Sequence, residues 1–236
     1  MKYMGSKRRF FKQLIPIILK DRKEGQYYVE PFCGGCNSLD KVMGNRIAGD
    51  VNCDLVAYFV ASTKCGWTPP PNITEEDYIR AKKGKNSILR GYVGHSFSFG
   101  GTYFRTIARH ERIKGGYLNL DKLNRRGLQV HTKQQAALKG VHFYCCSYED
   151  LPIPPQSIIY CDPPYRGVAH SYYNAKGFSH QRFYDWCRLM KAKGHRVFVS
   201  EYSMPKDFKC VWEKAIKVKL SSYDQSVPRI EKLFTL

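Results

Sequence analysis

The sequence predicts a doubly wound α/β fold: a mostly parallel sheet built from residues 1–63 and 140–236, with a small basic lobe, residues 64–139, inserted into it. Three observations predict it. Short apolar runs end on residues with chemistry to offer: Tyr27–Phe32 leads into Cys33-Gly34-Gly35, Arg46–Asp50 ends on a carboxylate, and Ser157–Cys161 leads into Asp162-Pro163-Pro164-Tyr165. Stretches of helical periodicity separate such runs, the alternation expected of parallel strands with crossover helices. Charge, finally, is unevenly placed. The formal net charge is +19, and from Arg80 to Lys139 there are fourteen Lys or Arg against only Glu111 and Asp121.

From the amino end, Phe10, Phe11, Leu14, Ile17 and Ile18 recur at helical spacing and predict a helix from Lys7 to about Lys23, kinked at Pro16. Ahead of it, Tyr3-Met4-Gly5-Ser6-Lys7 offers a permissive backbone at Gly5, a capping hydroxyl at Ser6 and a cation at Lys7. A helix cap beside a solvated lysine accounts for the same residues. Tyr27–Phe32 is the first strand, and its glycine turn should lead into a helix over about Cys36–Met43 whose N-terminal N–H groups face a ligand. Arg46–Asp50 is the second strand. Asp50 either accepts the two hydroxyls of a ribose or caps the next helix, Leu55–Ser62, which Asn52 begins.

At Lys64-Cys65-Gly66-Trp67-Thr68-Pro69-Pro70-Pro71-Asn72 the composition changes sharply, which marks a hinge. Thr74 starts a helix over Glu75–Lys83. Gly94–Arg105 is rich in glycine and aromatics, and Phe97, Phe99, Tyr103 and Phe104 either meet bases or pack into the lobe's own core. The cations Arg105, Arg109, Arg112, Lys114, Arg125 and Arg126 are assigned to phosphates before any base edge. Val141–Cys146 returns to strand. Gly167–Phe178 reads as a mobile lid beyond the Asp162 finger. Ser179 caps a helix over Gln181–Lys193, Arg196–Tyr202 is another strand, and Lys209–Leu236 alternates in short strands.

Composition excludes much. At 236 residues the chain can hold one good core and a smaller lobe. It has no run of eighteen apolar residues to span a membrane, and its start lacks the apolar region of a signal peptide. Nine cysteines at irregular spacings fit a reducing cytosol better than a disulfide scaffold. Cys33-Gly34-Gly35-Cys36 has the spacing of a redox pair or half a zinc site, but no second such pair exists and the seven histidines are dispersed. Neither metal nor disulfide chemistry is expected. The excess of cations points to a polyanionic partner.

The chemistry centres on Asp162-Pro163-Pro164-Tyr165. Pro163 cannot continue a strand, and the residue before each proline is pushed to an extended conformation, so the segment is a stiff finger at a strand's carboxyl end. An exocyclic aromatic amine is a poor nucleophile because its lone pair is delocalised into the ring. Acceptors at the Asp162 carboxylate and the Pro163 carbonyl can each take one N–H and localise that lone pair, while Tyr165 offers a flat face for the base. A proline-rich turn with a capping aspartate is the plainer alternative.

This finger resembles the catalytic motif of amino-methyltransferases that act on nucleic-acid bases. Tyr3–Lys7 and Glu30-Pro31-Phe32-Cys33-Gly34-Gly35 then resemble the first two motifs of the Dam-like, D12-class adenine-specific DNA methyltransferases, in the same order along the chain. The resemblance covers nearly the whole chain and is weakest between about Lys64 and Lys139. It departs from the family pattern at Cys36 and Asn37, where a Gly or Ala is usual. The resemblance implies a Rossmann-like methyltransferase sheet with an inserted DNA-recognition lobe, S-adenosyl-L-methionine as cofactor and double-stranded DNA as partner. It places Tyr3, Gly5 and Lys7 beside the methionine end of the cofactor, and Glu30, Pro31, Phe32, Gly34 and Gly35 in its binding turn. Asp50 goes to the ribose, with Tyr148 or Asp150 bordering the adenine. Asp162, Pro163, Pro164 and Tyr165 form the catalytic set, Asp162 also adjoining the cofactor. Val227–Phe234 resembles the family's closing hairpin.

The implied activity is transfer of a methyl group to N6 of a flipped-out adenine, without a metal. The expected setting is bacterial cytoplasm, or host cytoplasm for a phage-borne protein, acting as a monomer or a weak dimer on DNA. Asp rather than Ser at position 162 favours adenine over cytosine. The rivals are the same chemistry on RNA or on cytosine, and a catalytically inactive DNA-binding module.

Overall fold

A computed structural model of the protein describes all residues except 109–111, 114–115, 118, 168–176 and 219–226, and the side chains of 112–113, 116–117, 217–218 and 227–228. In chain order the elements are α1 (Phe11–Ile18), β1 (Tyr28–Glu30), β2 (Arg46–Asp50), α2 (Cys53–Lys64), α3 (Glu75–Lys83), α4 (Ser87–Ser96), the two-residue strands β3 (Arg112–Ile113) and β4 (Gly116–Tyr117), and α5 (Leu120–Ala137). Then follow β5 (His142–Cys145), β6 (Ile158–Cys161), α6 (His180–Ala192), β7 (Arg196–Glu201), β8 (Lys209–Val218) and β9 (Val227–Thr235).

Among the described residues, seven strands form one sheet in the order β5-β2-β1-β6-β7-β9-β8. The first five are mutually parallel, and β9 and β8 close the sheet as an antiparallel pair. Sequence order reverses between β1 and β6, so the chain winds outward in one direction from β1 and in the other from β6. A crevice opens where adjacent parallel strands send their connections apart, and there ligands bind in such sheets.

Alternation along each strand builds both faces. Tyr28, Ala48, Ile158, Tyr160 and Phe198 pack into one core with α1, α2 and residues of α3, α4 and α5. Val29, Ile47, Ile159, Cys161, Val197 and Val199 point into a second core covered by α6. Residues 64–139 add Ile73, Tyr78, Tyr92, Phe97 and Leu123 to the first core, which is therefore continuous from sheet to segment. The crossing of α4 over α2 depends on Gly91, where a Cβ would collide with the Asp54 carbonyl. Thr74 begins α3 as expected, in a reciprocal capping box with Asp77.

Three expectations need correction. The first helix is shorter than its apolar spacing suggests: Lys7–Arg9 is a single 3₁₀ turn, and α1 stops at Ile18, two residues beyond Pro16, with Asp21 at φ 56° turning the chain away. No α-helix covers Cys36–Met43. Gly34 at φ 44° and Cys36 at φ 51° wind the chain left-handed, leaving one 3₁₀ turn over Leu39–Lys41. Two cysteines are also paired, Cys53 with Cys145. The pairing follows from the sheet: Cys145 lies opposite Asp50 on the neighbouring strand, and Cys53 is three residues beyond Asp50.

Candidate functional site

The crevice at the strand reversal holds a cavity of about 310 Å³. Its walls come from four places: Tyr3–Lys7, the Pro31–Ser38 turn after β1 with Asp50 at the end of β2, Ser147–Glu149 after β5, and Asp162–Tyr165 after β6. Phe178, Ser179 and Arg182 close one side.

The turn after β1 is shaped by its glycines. A Cβ on Gly34 would lie 2.7 Å from Tyr3 Cε1, and one on Gly35 would lie 2.7 Å from Tyr3 Cβ. The paired glycines thus make room first for the Tyr3 ring, which brings the amino-terminal segment against the turn. Asp50 pins the same turn: the Gly34 N–H donates to Oδ2 at 2.9 Å and the Asn52 N–H to Oδ1 at 2.9 Å. The capping alternative for Asp50 falls away, because Asn52 caps α2 with its own side chain. Burial pushes the Asp50 carboxyl upward, and these N–H donors oppose the shift. Cys36, where the family pattern has Gly or Ala, occupies left-handed backbone that suits glycine better.

Glu30 does not line the cavity. It points into the core beneath the turn, where the Tyr28 hydroxyl donates to Oε1 at 2.7 Å and the Ser38 hydroxyl to Oε2 at 2.8 Å. Burial pushes its pKa up to about 8. A carboxyl raised from 4.5 keeps in the fold a proton that the unfolded chain gives up, so stability falls as pH rises from about 4.5 to about 8. Glu30→Gln is expected to reduce that fall in thermal midpoint, measured across the same pH window. Glu201, pushed up to about 7 by burial, acts in the same direction, so the fall shrinks and does not vanish.

The Asp162 finger stands over a buried ion cluster. Lys7 Nζ lies 3.1 Å from Asp162 Oδ1, 3.9 Å from Glu231 Oε2 and 4.4 Å above the Tyr165 ring, and donates to the Gly5 carbonyl at 3.0 Å. The Tyr165 hydroxyl donates to Glu231 Oε2 at 3.0 Å, and its ring meets Tyr202 edge-on at 4.7 Å. Burial raises the Asp162 pKa while Lys7 holds it down. Behind the finger, Glu201 accepts the Arg166 and Tyr202 N–H groups at 2.9 and 2.7 Å, and His180 Nε2 meets the Pro164 carbonyl at 3.0 Å. The arrangement can present a carboxylate acceptor, partly exposed and charge-balanced, to a polar group entering the cavity. At the other end, Phe32 stacks on Tyr148 at 5.3 Å with Phe178 alongside, an aromatic wall of the cavity against which a flat ring can lie.

A family model described as D12 class N6 adenine-specific DNA methyltransferase matches residues 102–235, more than half of the chain and including the whole finger. The chain belongs to this family. No curated protein matches it. Two solved structures of the rRNA methyltransferase aviRa from Streptomyces viridochromogenes align with 99% of this chain and 86% of that one, at 13% identity and TM-scores of 0.41 and 0.40. So distant a likeness carries no argument about substrate. The amino-terminal motif and the glycine turn of this D12-class chain lie outside the matched range, so their part in the site rests on the cavity geometry.

Of the residues singled out in the sequence, Tyr3, Gly5, Lys7, Pro31, Phe32, Gly34, Gly35, Asp50, Asp162, Pro163, Pro164 and Tyr165 border the one cavity. Tyr148 borders it too, whereas Asp150 does not. Arg105, Arg125 and Arg126 are exposed on the 64–139 segment. Arg109, Lys114 and the Arg112 side chain lie outside the described residues, as does most of the Gly167–Phe178 stretch. Phe97 and Phe104 are buried and the Tyr103 hydroxyl donates to Asp54, so of the four rings in Gly94–Arg105 only Phe99 is largely exposed. Sequence reasoning missed Glu231 and Glu201. The one available signal was an acid set in each of two otherwise apolar or basic strands, Arg196–Glu201 and Val227–Thr235.

Proposed function

We propose that this chain transfers a methyl group from S-adenosyl-L-methionine to the N6 amine of adenine in double-stranded DNA, on a base flipped from the stack. One observation carries the reading: the Asp162-Pro163-Pro164-Tyr165 finger and the glycine turn with Asp50 border the same cavity. The cavity suits the cofactor, with the Phe32–Tyr148 wall for a flat ring, Asp50 for a ribose and the Asp162 carboxylate toward a cationic centre. When bound, the cofactor supplies a methyl group on a sulfonium, which leaves as a neutral thioether.

The chain's own residues do the rest. Asp162 and the Pro163 carbonyl each accept one N–H of the amine and so free its lone pair. Lys7 keeps Asp162 in its acceptor form. The amine proton becomes acidic only as the new bond forms, and Asp162, its pKa raised by burial, is placed to receive it. Tyr165 supports the base. Removing Asp50 should weaken S-adenosylmethionine binding by about 1.5–3 kcal/mol, the worth of hydrogen bonds to a charged acceptor, in calorimetric titration of Asp50→Ala.

Residues 64–139 act as the DNA-gripping lobe through the cations gathered between Arg80 and Lys139. If about four to six of them neutralise phosphates, log affinity falls against log salt with a slope of about −4 to −5, and replacing Arg105 and Arg109 by alanine flattens it by up to about two. An unchanged slope in the double variant would remove this pair from the grip. The reading as a whole is tested with methyl-tritiated cofactor. Label is expected on adenine of duplex DNA, and label found only on RNA, only on cytosine or on neither would reject it.

A further inference from the structure

The closing antiparallel pair reaches past the sheet. β9 pairs with β7 only between Lys232 and Thr235, whereas its pairing with β8 continues back to Val227. Residues Val227–Glu231 and Lys214–Val218 therefore make a two-stranded ribbon that overhangs the carboxyl end of β7, on the side of the sheet where the Asp162 finger stands. Tyr202, the first residue beyond β7, lies beneath it. The Tyr202 ring is perpendicular to Tyr165 at 4.7 Å, and the Arg229 guanidinium covers it at 5.1 Å. Tyr202, Arg229, Ile230 and Lys232 line a shallow open cleft of about 320 Å³, separate from the main cavity but touching it through the Tyr165–Tyr202 contact.

The chemistry of this cleft is specific. It combines an aromatic ring, a guanidinium, and an aliphatic side chain, Ile230, left 46% exposed. Lys232 stands 3.7 Å from Glu213, while among the described residues no carboxylate pairs with Arg229. An aromatic face with a cation beside it takes a nucleobase by stacking and a phosphate by charge. An acidic peptide would use the cations and leave the ring and Ile230 without purpose.

We propose that the cleft holds the nucleotide next to the target adenine, its phosphate on Arg229 and its base against Tyr202 and Ile230. The proposal rests on the DNA-methyltransferase reading above and adds to it a second contact, far along the chain from the basic lobe. The strand would be held on both sides of Tyr165, so that extrusion of the adenine need not drag its neighbour with it.

The test is DNA affinity and its salt dependence on a random-sequence duplex. Arg229→Ala is expected to weaken binding on the order of tenfold and to flatten the salt slope by about one. Tyr202→Leu should also weaken binding on the order of tenfold, but leave the slope alone, because it removes stacking and no charge. S-adenosylmethionine affinity should hold in both variants, which shows the fold intact; Arg229→Gln carries the same expectation should alanine disturb the ribbon. Wild-type slope and affinity in the Arg229 variant would overturn the proposal while methylation by the parent chain still stood. Weaker binding with an unchanged slope would overturn the phosphate assignment. A parent chain that neither binds nor methylates DNA would instead overturn the reading beneath it.

Discussion

Asp162→Ala is expected to lower single-turnover methylation of duplex DNA by on the order of 10²–10³-fold or more, the scale seen when one preorganised polar partner of a transition state is removed. The physical cause is loss of one of two acceptors, which leaves the amine lone pair delocalised in the purine ring. DNA affinity should stay within a few-fold and most of the cofactor affinity should remain, because Asp50, the Phe32–Tyr148 wall and the basic segment are untouched. Asp162→Asn is the sharper control. It keeps the shape, but its amide oxygen is drawn to Lys7 Nζ, which now lies 3.1 Å from a carboxylate oxygen, and its NH2 is left to face the substrate amine as a donor. Single-turnover rates in either variant within a few-fold of the parent would end the role assigned to the carboxylate.

Lys7→Met should have the next largest effect, and a different signature. Lys7 is buried, and it serves Asp162, Glu231 and the Tyr165 ring together. Removing one partner of a buried ion cluster costs about 3–5 kcal/mol when the remaining charge has nowhere to go. Here two carboxylates would remain, and one of them relieves the cost by taking a proton. Lys7 holds the Asp162 pKa down, so its loss raises that pKa. The acid limb of the pH–rate profile should therefore move to higher pH. The stability deficit should follow the same sign. Carboxyl groups raised in the fold weaken it above their unfolded pKa, so the deficit is greatest in alkali and shrinks as the pH falls. Urea denaturation across the pH range reads this directly. A pH-independent deficit with an unmoved acid limb would mean that Lys7 acts only through its aliphatic stem.

The Asp162 finger was readable because prolines constrain backbone whatever surrounds them, and because a buried strand of apolar residues announces itself by length. Asp50 was readable for the same reason, as a carboxylate where an apolar run stops. What a linear reading lacks is the partner on the other side of a contact. Glu231 becomes part of the site only because β9 returns antiparallel beside β7, some seventy residues beyond the finger. Glu30 shows the converse. It sits inside a recognisable motif, yet strand alternation turns it away from the cavity toward Tyr28 and Ser38. The missing helix at Cys36–Met43 was hidden in two positive φ values, one on a cysteine that no propensity scale would place there. The Cys53–Cys145 pair was illegible because neighbouring strands, not sequence spacing, bring the two residues together.

The path from β2 to β5 has a wider consequence. These two strands are adjacent and parallel, and everything from Val51 to Val141 is the connection between them. A parallel connection must leave one strand and join the next, and the entropic cost of lengthening an exposed stretch of it grows slowly. Exposed stretches of this connection can therefore be lengthened without shifting the register of any strand that bears Asp50 or Asp162, whereas Ile73, Tyr78, Tyr92, Phe97 and Leu123 stay tied to the core. If the cations between Arg80 and Lys139 grip DNA as proposed, insertions in those exposed stretches would alter the grip while leaving the strands that carry Asp50 and Asp162 in place.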